Sequence, residues 1–164
     1  MTAARVHELL LAAGSTVAVA ESLTGGLLGA ALTTTPGASA TFRGGLVVYA
    51  TDLKQSIAGV PGPLLDAEGP VSAHVAAALA AGARDRLAAT YGVGVTGVAG
   101  PDSQDGHPVG TVYVAVAGPG GGEVRELQLA GDRAAIRAAA VTVALDLLLA
   151  VLTPAGNAAP STTV

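Results

Sequence analysis

Ser22 stands in the stretch Ala20-Glu21-Ser22-Leu23-Thr24-Gly25-Gly26, and Lys54, the only lysine beside seven arginines, follows 32 residues later. A serine ahead of paired glycines has the outline of a nucleophile, because the N–H groups of the turn can point at an anion or a developing oxyanion. The same pattern also describes an N-cap serine whose glycines let a helix pack tightly on a sheet. A nucleophilic serine needs a base. Lysine can lose its proton when desolvation or neighbouring positive charge lowers its pKa from about 10.4, whereas arginine cannot. Lys54 is therefore the natural candidate, with Arg133 or Arg137 as the source of charge and both as candidate substrate contacts; both arginines equally suit a solvated first helical turn.

The other bases are poorly placed. His7 falls in the first helix and His74 in the first turn of a long one, while His107, in a polar loop, stays open as an alternative. The three histidines are far apart and cysteine is absent, so neither a zinc site nor thiolate chemistry is expected. Thr24 and Thr96 are candidates for hydroxyl relay or substrate contact, or equally caps. Tyr49 reaches the site with its hydroxyl or covers the core with its ring. The loop 97–110, with Gly97 and Gly100 at its start, is long enough to carry specificity. With Thr24, Gly25 and Gly26 it offers a phosphate or ribose cradle, although neither segment matches a Walker or dinucleotide fingerprint.

These residues need elements to position them. Apolar spacing predicts a helix over 3–13, a buried strand over 15–20, a small-residue helix over 27–33 and a second strand over 45–50. Thr51 or Asp52 caps a short helix through Lys54; Pro61-Gly62-Pro63 breaks the chain. Ser72 caps an alanine-rich helix to about Thr90. Strands over 93–96, 111–117 and 123–129 follow, the last with edge-like charge alternation, and Asp132 caps a helix to about Leu152. The reading is a three-layer α/β/α sandwich with a five-stranded mixed sheet, in which ligands gather at the carboxyl ends of the parallel strands. Three strand exits, at 21–26, 49–54 and 96–101, then converge on one cleft. One domain over 1–153 and a disordered tail over 154–164 are expected.

Composition agrees with a core of small side chains: 51% of residues are apolar, 23 are glycine and 2% are aromatic. Mean hydropathy is +0.57. The longest apolar run, 138–152, is interrupted by Thr142 and Asp146 and falls short of the roughly 18–20 residues of a spanning helix. The N-terminus lacks a signal-peptide pattern, which makes a cytoplasmic location the expectation. A net charge of −4 without a basic stripe argues against a nucleic-acid partner.

Those blocks, together with Gly45-Leu46-Val47-Val48-Tyr49, Gly59-Val60, Gly69-Pro70-Val71-Ser72, Thr96-Gly97-Val98-Ala99-Gly100-Pro101, Pro108-Val109-Gly110-Thr111-Val112 and Gly131-Asp132-Arg133, occur in an order that resembles the CinA C-terminal domain family. The likeness runs over roughly residues 5–150. It implies a three-layer sandwich and, for members that are nicotinamide-nucleotide amidohydrolases, deamidation of nicotinamide mononucleotide without metal or organic cofactor. By position, Ser22 would be nucleophile and Lys54 general base, while Tyr49, Thr96 and Arg133 would line the site and Gly25-Gly26 would serve an oxyanion or phosphate. Leu23 stands where the family usually has Cys, and Thr96 where some members have Ser. The resemblance also implies a small nucleotide substrate and a homodimer. Since it begins near residue 5, nothing of the N-terminal domain of longer members is expected. A non-catalytic nucleotide-binding module, linked to competence or DNA damage, is the alternative, and a related amide is an alternative substrate.

Overall fold

The residues Val17-Ala18-Val19-Ala20-Glu21 are all buried, which is the mark of a central strand covered on both faces. The computed structural model describes residues 2–153. Its elements are α1 (Thr2–Ala12), β1 (Val17–Glu21), α2 (Leu27–Leu32), a 3-10 turn (Ala38–Ala40), β2 (Phe42–Val47), α3 (Thr51–Ser56), α4 (Gly62–Glu68), α5 (Ala73–Arg86), β3 (Tyr91–Gly97), β4 (Thr111–Gly118), β5 (Gly121–Gln128) and α6 (Arg133–Leu152). The strand order is β2-β1-β3-β4-β5. β1 runs parallel to both β2 and β3, and β4 and β5 close the sheet as antiparallel partners.

Alternation along β1 divides the core. Val17 and Val19 face α1, α2 and α6, where Leu10, Leu28, Ile136 and Leu148 pack on them. Ala18 and Ala20 face the other layer, with Val75, Leu79 and Ala83 of α5 and Leu65 of α4. That second layer lies very close to the sheet. A Cβ at Gly92 or Gly94 would collide with the carbonyl oxygens of Ala80 and Ala76 on α5, so glycine in β3 and alanine in α5 are two halves of one contact. The mixed five-stranded sheet and the α/β/α sandwich are as expected from the sequence.

Several boundaries differ. β2 covers 42–47 rather than 45–50, because Val48 keeps only its N–H bond to the Glu21 carbonyl and Tyr49 leaves the ladder, although their side chains continue the apolar run. α4 forms where a break was expected; a proline in the first turn has no intrahelical bond to lose there. α5 ends at Arg86, not Thr90, since Thr90 bonds reciprocally with Thr16 across the start of β3. Ser72 and Asp132 cap their helices as expected, accepting from Val75 and Ala135, whereas α3 begins after Ala50 without a side-chain cap. β5 starts at Gly121 rather than at 123, so only Pro119-Gly120 separates it from β4. By length and composition α6 is apolar enough to cross a membrane, beyond the interrupted run read from the sequence; a core helix passes the same test, and its buried stripe packs on α1 and β4. The tail over 154–164 lies outside the described residues.

Candidate active site

The exits of β1 and β3 and the turn between β2 and α3 enclose a cleft of about 560 Å³, its open mouth included. Ser22, Tyr49, Lys54, Thr96, Gly97, Gly100 and Arg133 line it, so seven of the residues singled out by sequence come together. Thr24, Gly25, Gly26 and Arg137 do not line it.

Lys54 is the largest fully buried side chain among the described residues. Its Nζ lies 3.0 Å from Ser22 Oγ, 2.9 Å from the Val48 carbonyl oxygen and 3.1 Å from that of Tyr49. The two carbonyls are turned inward because the chain leaves β2 at Val47, which is why the strand ends early. Burial pushes the amine down from 10.5 to about 8. Of the two causes the sequence offered, desolvation is the one at work, and no charge from Arg133 or Arg137 contributes. Carbonyls only accept, so each takes an N–H, and the remaining position on the nitrogen faces Ser22. In the neutral amine that position is the lone pair, ready to take the hydroxyl proton; in the ammonium it is a third donor, and Ser22 is silenced.

The turn after Ser22 is held from both sides. Gly25 and Gly26 have φ of +59° and +103°, a left-handed conformation that favours glycine. The Gly25 N–H donates to the Ser22 carbonyl and the Gly26 N–H to Glu21, so neither is free for an oxyanion. This corrects the role expected for the glycine pair. Among the described residues, the N–H groups of Leu23 and Thr24 have no acceptor, and Leu23 lines the cleft. Arg137 grips the same turn through Nε to the Leu23 carbonyl at 2.9 Å and Nη2 to the Thr24 carbonyl at 3.2 Å. Arg137 thus supports the turn. The Thr24 hydroxyl is fully buried and makes no hydrogen bond among the described residues, so it relays nothing to Ser22.

At the mouth, Arg133 forks between the Gly100 carbonyl at 2.6 Å and the Tyr49 hydroxyl at 2.9 Å. Tyr49 is exposed there and covers no core. Thr96 is buried and donates to the Pro70 carbonyl at 2.7 Å, tying β3 to the approach to α5. Gly97 is glycine because a Cβ would come 2.5 Å from the Thr111 carbonyl oxygen of β4. The long loop contributes Asp102 and Gln104, and α3 adds Thr51, which the sequence suggested only as a helix cap.

The histidines lie elsewhere. His7 bonds Thr41, His74 bonds Glu68, and His107, itself not in the cleft lining, pairs through its backbone with Gln104, which is. Among the described residues no group of three or more His, Asp or Glu is placed to hold a metal. Sequence reasoning also missed Glu21, whose carboxylate is buried beneath the turn. The signal was there: an acid closing an otherwise apolar strand must find donors.

A family model described as the CinA C-terminal domain matches residues 1–152. A CinA-like protein of Frankia casuarinae is 54% identical over 155 residues, which are 94% of this chain and 36% of that protein. One from an Anaeromyxobacter species is 53% identical over 140 residues, 85% of this chain and 34% of that protein. The chain thus spans about a third of the length of these curated relatives. The crystal structure of the competence/damage inducible protein CihA from Agrobacterium tumefaciens is similar with a TM-score of 0.89 and 37% identity, over 93% of this chain and 94% of that one. A CinA superfamily protein from Enterobacter cloacae gives 0.90 and 31%, over 93% and 90% of the two chains.

Proposed function

Because the chain belongs to the CinA C-terminal domain family, we propose that it is a serine amidohydrolase that converts nicotinamide mononucleotide to nicotinic acid mononucleotide and ammonia. The observation that carries this reading is the 3.0 Å contact between Lys54 Nζ and Ser22 Oγ in a buried setting that favours the neutral amine.

The chemistry follows from the geometry. Lys54 accepts the Ser22 proton as Oγ attacks the amide carbon, and the carbonyl π electrons move onto oxygen. The N–H group of Leu23, which lines the cleft and has no acceptor among the described residues, is the donor available for that oxyanion. As the tetrahedral intermediate collapses, the C–N bond breaks and Lys54 returns the proton to nitrogen, releasing ammonia and leaving an acyl ester on Ser22. Water then attacks the ester carbon, giving its proton to Lys54, which passes it to Ser22 Oγ as the acid departs. Arg133, fixed at the mouth by Gly100 and Tyr49, presents a guanidinium suited to the nucleotide phosphate.

The test is direct. Purified protein incubated with nicotinamide mononucleotide should release ammonia and nicotinic acid mononucleotide in equal amounts, and Ser22→Ala should abolish both. Turnover by Ser22→Ala at the native rate overturns the mechanism. Binding of the nucleotide without ammonia release replaces it with the non-catalytic nucleotide-binding reading.

A further inference from the structure

Glu21 directly precedes Ser22, is 1% exposed, and has no part in the proton transfers above. Its Oε2 accepts from the N–H groups of Gly26 at 3.1 Å and Leu28 at 3.0 Å, and its Oε1 from that of Gly29 at 2.8 Å. An ordinary N-cap side chain satisfies one orphan donor of a helix; this one reaches across the whole turn and satisfies three. The main chain of the same residue acts on the other partner. The Glu21 carbonyl accepts from the Val48 N–H at 2.9 Å, and the Val48 carbonyl in turn receives Lys54 Nζ. Residue 21 also sits in register between Val47 of β2 and Val95 of β3.

We propose that Glu21 is the positioning residue of the Ser22–Lys54 pair: its carboxylate closes the turn that carries Ser22 while its backbone sets the carbonyl that holds Lys54. The inference rests on the reading of Ser22 and Lys54 as nucleophile and base. Its chemistry demands a carboxylate. A glutamine at 21 would keep the length but replace one acceptor oxygen by an NH₂ donor, which would confront at least one N–H of the turn. An aspartate would keep the charge and draw the oxygens back by one methylene. Either change lets the turn shift while Lys54 stays anchored to β2, and small misplacement of reacting atoms costs rate steeply.

The experiment uses the full chain carrying Glu21→Gln and measures the rate of Ser22 phosphonylation by a fluorophosphonate across pH, alongside kcat and KM for nicotinamide mononucleotide. Phosphonylation and kcat should fall by about 10- to 100-fold per folded molecule. KM should stay within about twofold, and the pH midpoint of phosphonylation should rise above the wild-type value as the shifted turn lets water reach Nζ. An unchanged phosphonylation rate and midpoint, with only a lowered thermal midpoint, overturns the proposal and leaves Glu21 a structural cap. If the glutamine variant does not fold, Glu21→Asp decides by the same readouts. A wild-type protein phosphonylated at Ser22 that releases no ammonia defeats the substrate reading while the Glu21 proposal is still decided. A wild-type protein that resists phosphonylation at Ser22 overturns both.

Discussion

Lys54 Nζ meets Ser22 Oγ at 3.0 Å while bound to two backbone carbonyls, so the amine has one unassigned position and it points at the serine. Every other polar partner of Nζ is an acceptor that cannot titrate near neutrality. In the proposed mechanism, the protonation state of one buried nitrogen decides whether Ser22 is free to attack. That mechanism requires lysine, because it works by losing a proton that arginine retains.

Replacing Lys54 by Arg should be nearly as damaging as replacing it by Ala. Both should lower kcat for ammonia release by about 10²- to 10⁴-fold, the usual worth of a general base. In the wild type, kcat should rise with pH through about 8, because the active form is the deprotonated amine. Lys54→Arg should lack that limb. A Lys54→Arg enzyme that keeps most of its activity would reduce Lys54 to a substrate-binding charge.

The same group should leave a mark on stability. Its folded pKa, about 8, lies below the ordinary 10.5, so between those values the unfolded chain binds more protons and stability rises with pH. Below 8 both states carry the charge and the burial penalty is fully present; above 10.5 both are neutral and it is gone. From pH 7 to 9.5 this one group should add about 2 kcal/mol. Urea midpoints of the wild type and Lys54→Met at the two pH values test it: the substitution should remove this part of the slope. Equal slopes would show that the amine is not desolvated.

Much of this architecture was legible in the sequence, because small-residue strands and alanine-rich helices carry clear periods and Ser72 and Asp132 announce their helices. The cleft was legible as well, since strand exits in a parallel sheet point the same way and carried Ser22, Tyr49, Lys54 and Thr96 with them. What stayed hidden depends on where backbone groups turn. Val48 and Tyr49 continue an apolar pattern, and only the folded chain shows their carbonyls directed at Lys54 rather than at a neighbouring strand. The glycine pair looked like the anion cradle, yet its N–H groups are already engaged by Ser22 and Glu21. Arg137 looked like a substrate ligand because charge alone does not say whether a guanidinium faces the cleft or the turn beside it.

Arg137 offers a test of that distinction. Removing it by Arg137→Ala leaves the Leu23 carbonyl without its donor and the Thr24 carbonyl with only the Leu27 N–H, and loosens the peptide groups that follow Ser22. Lost charge-assisted bonds of this kind are worth about 1.5–3 kcal/mol. The loss should appear in kcat, about 10- to 100-fold by the same figure, with KM nearly unchanged, and added guanidinium ion should restore part of it. A rise in KM with kcat intact would return Arg137 to the substrate-binding set.

Arg133 should behave in the opposite manner. It stands at the mouth, its fork already oriented by the Gly100 carbonyl and the Tyr49 hydroxyl, well placed to meet an anion and without a hydrogen bond to Ser22 or Lys54. For nicotinamide mononucleotide, Arg133→Ala should raise KM by about 10- to 100-fold, the equivalent of one charge-assisted contact to phosphate. The uncharged relative lacking phosphate, nicotinamide riboside, isolates the effect. Its kcat/KM should be low with the wild type and almost unaffected by the substitution, because the contact removed was never made. Equal losses on both substrates would mean that Arg133 supports the Gly100 turn and that the phosphate is recognised elsewhere.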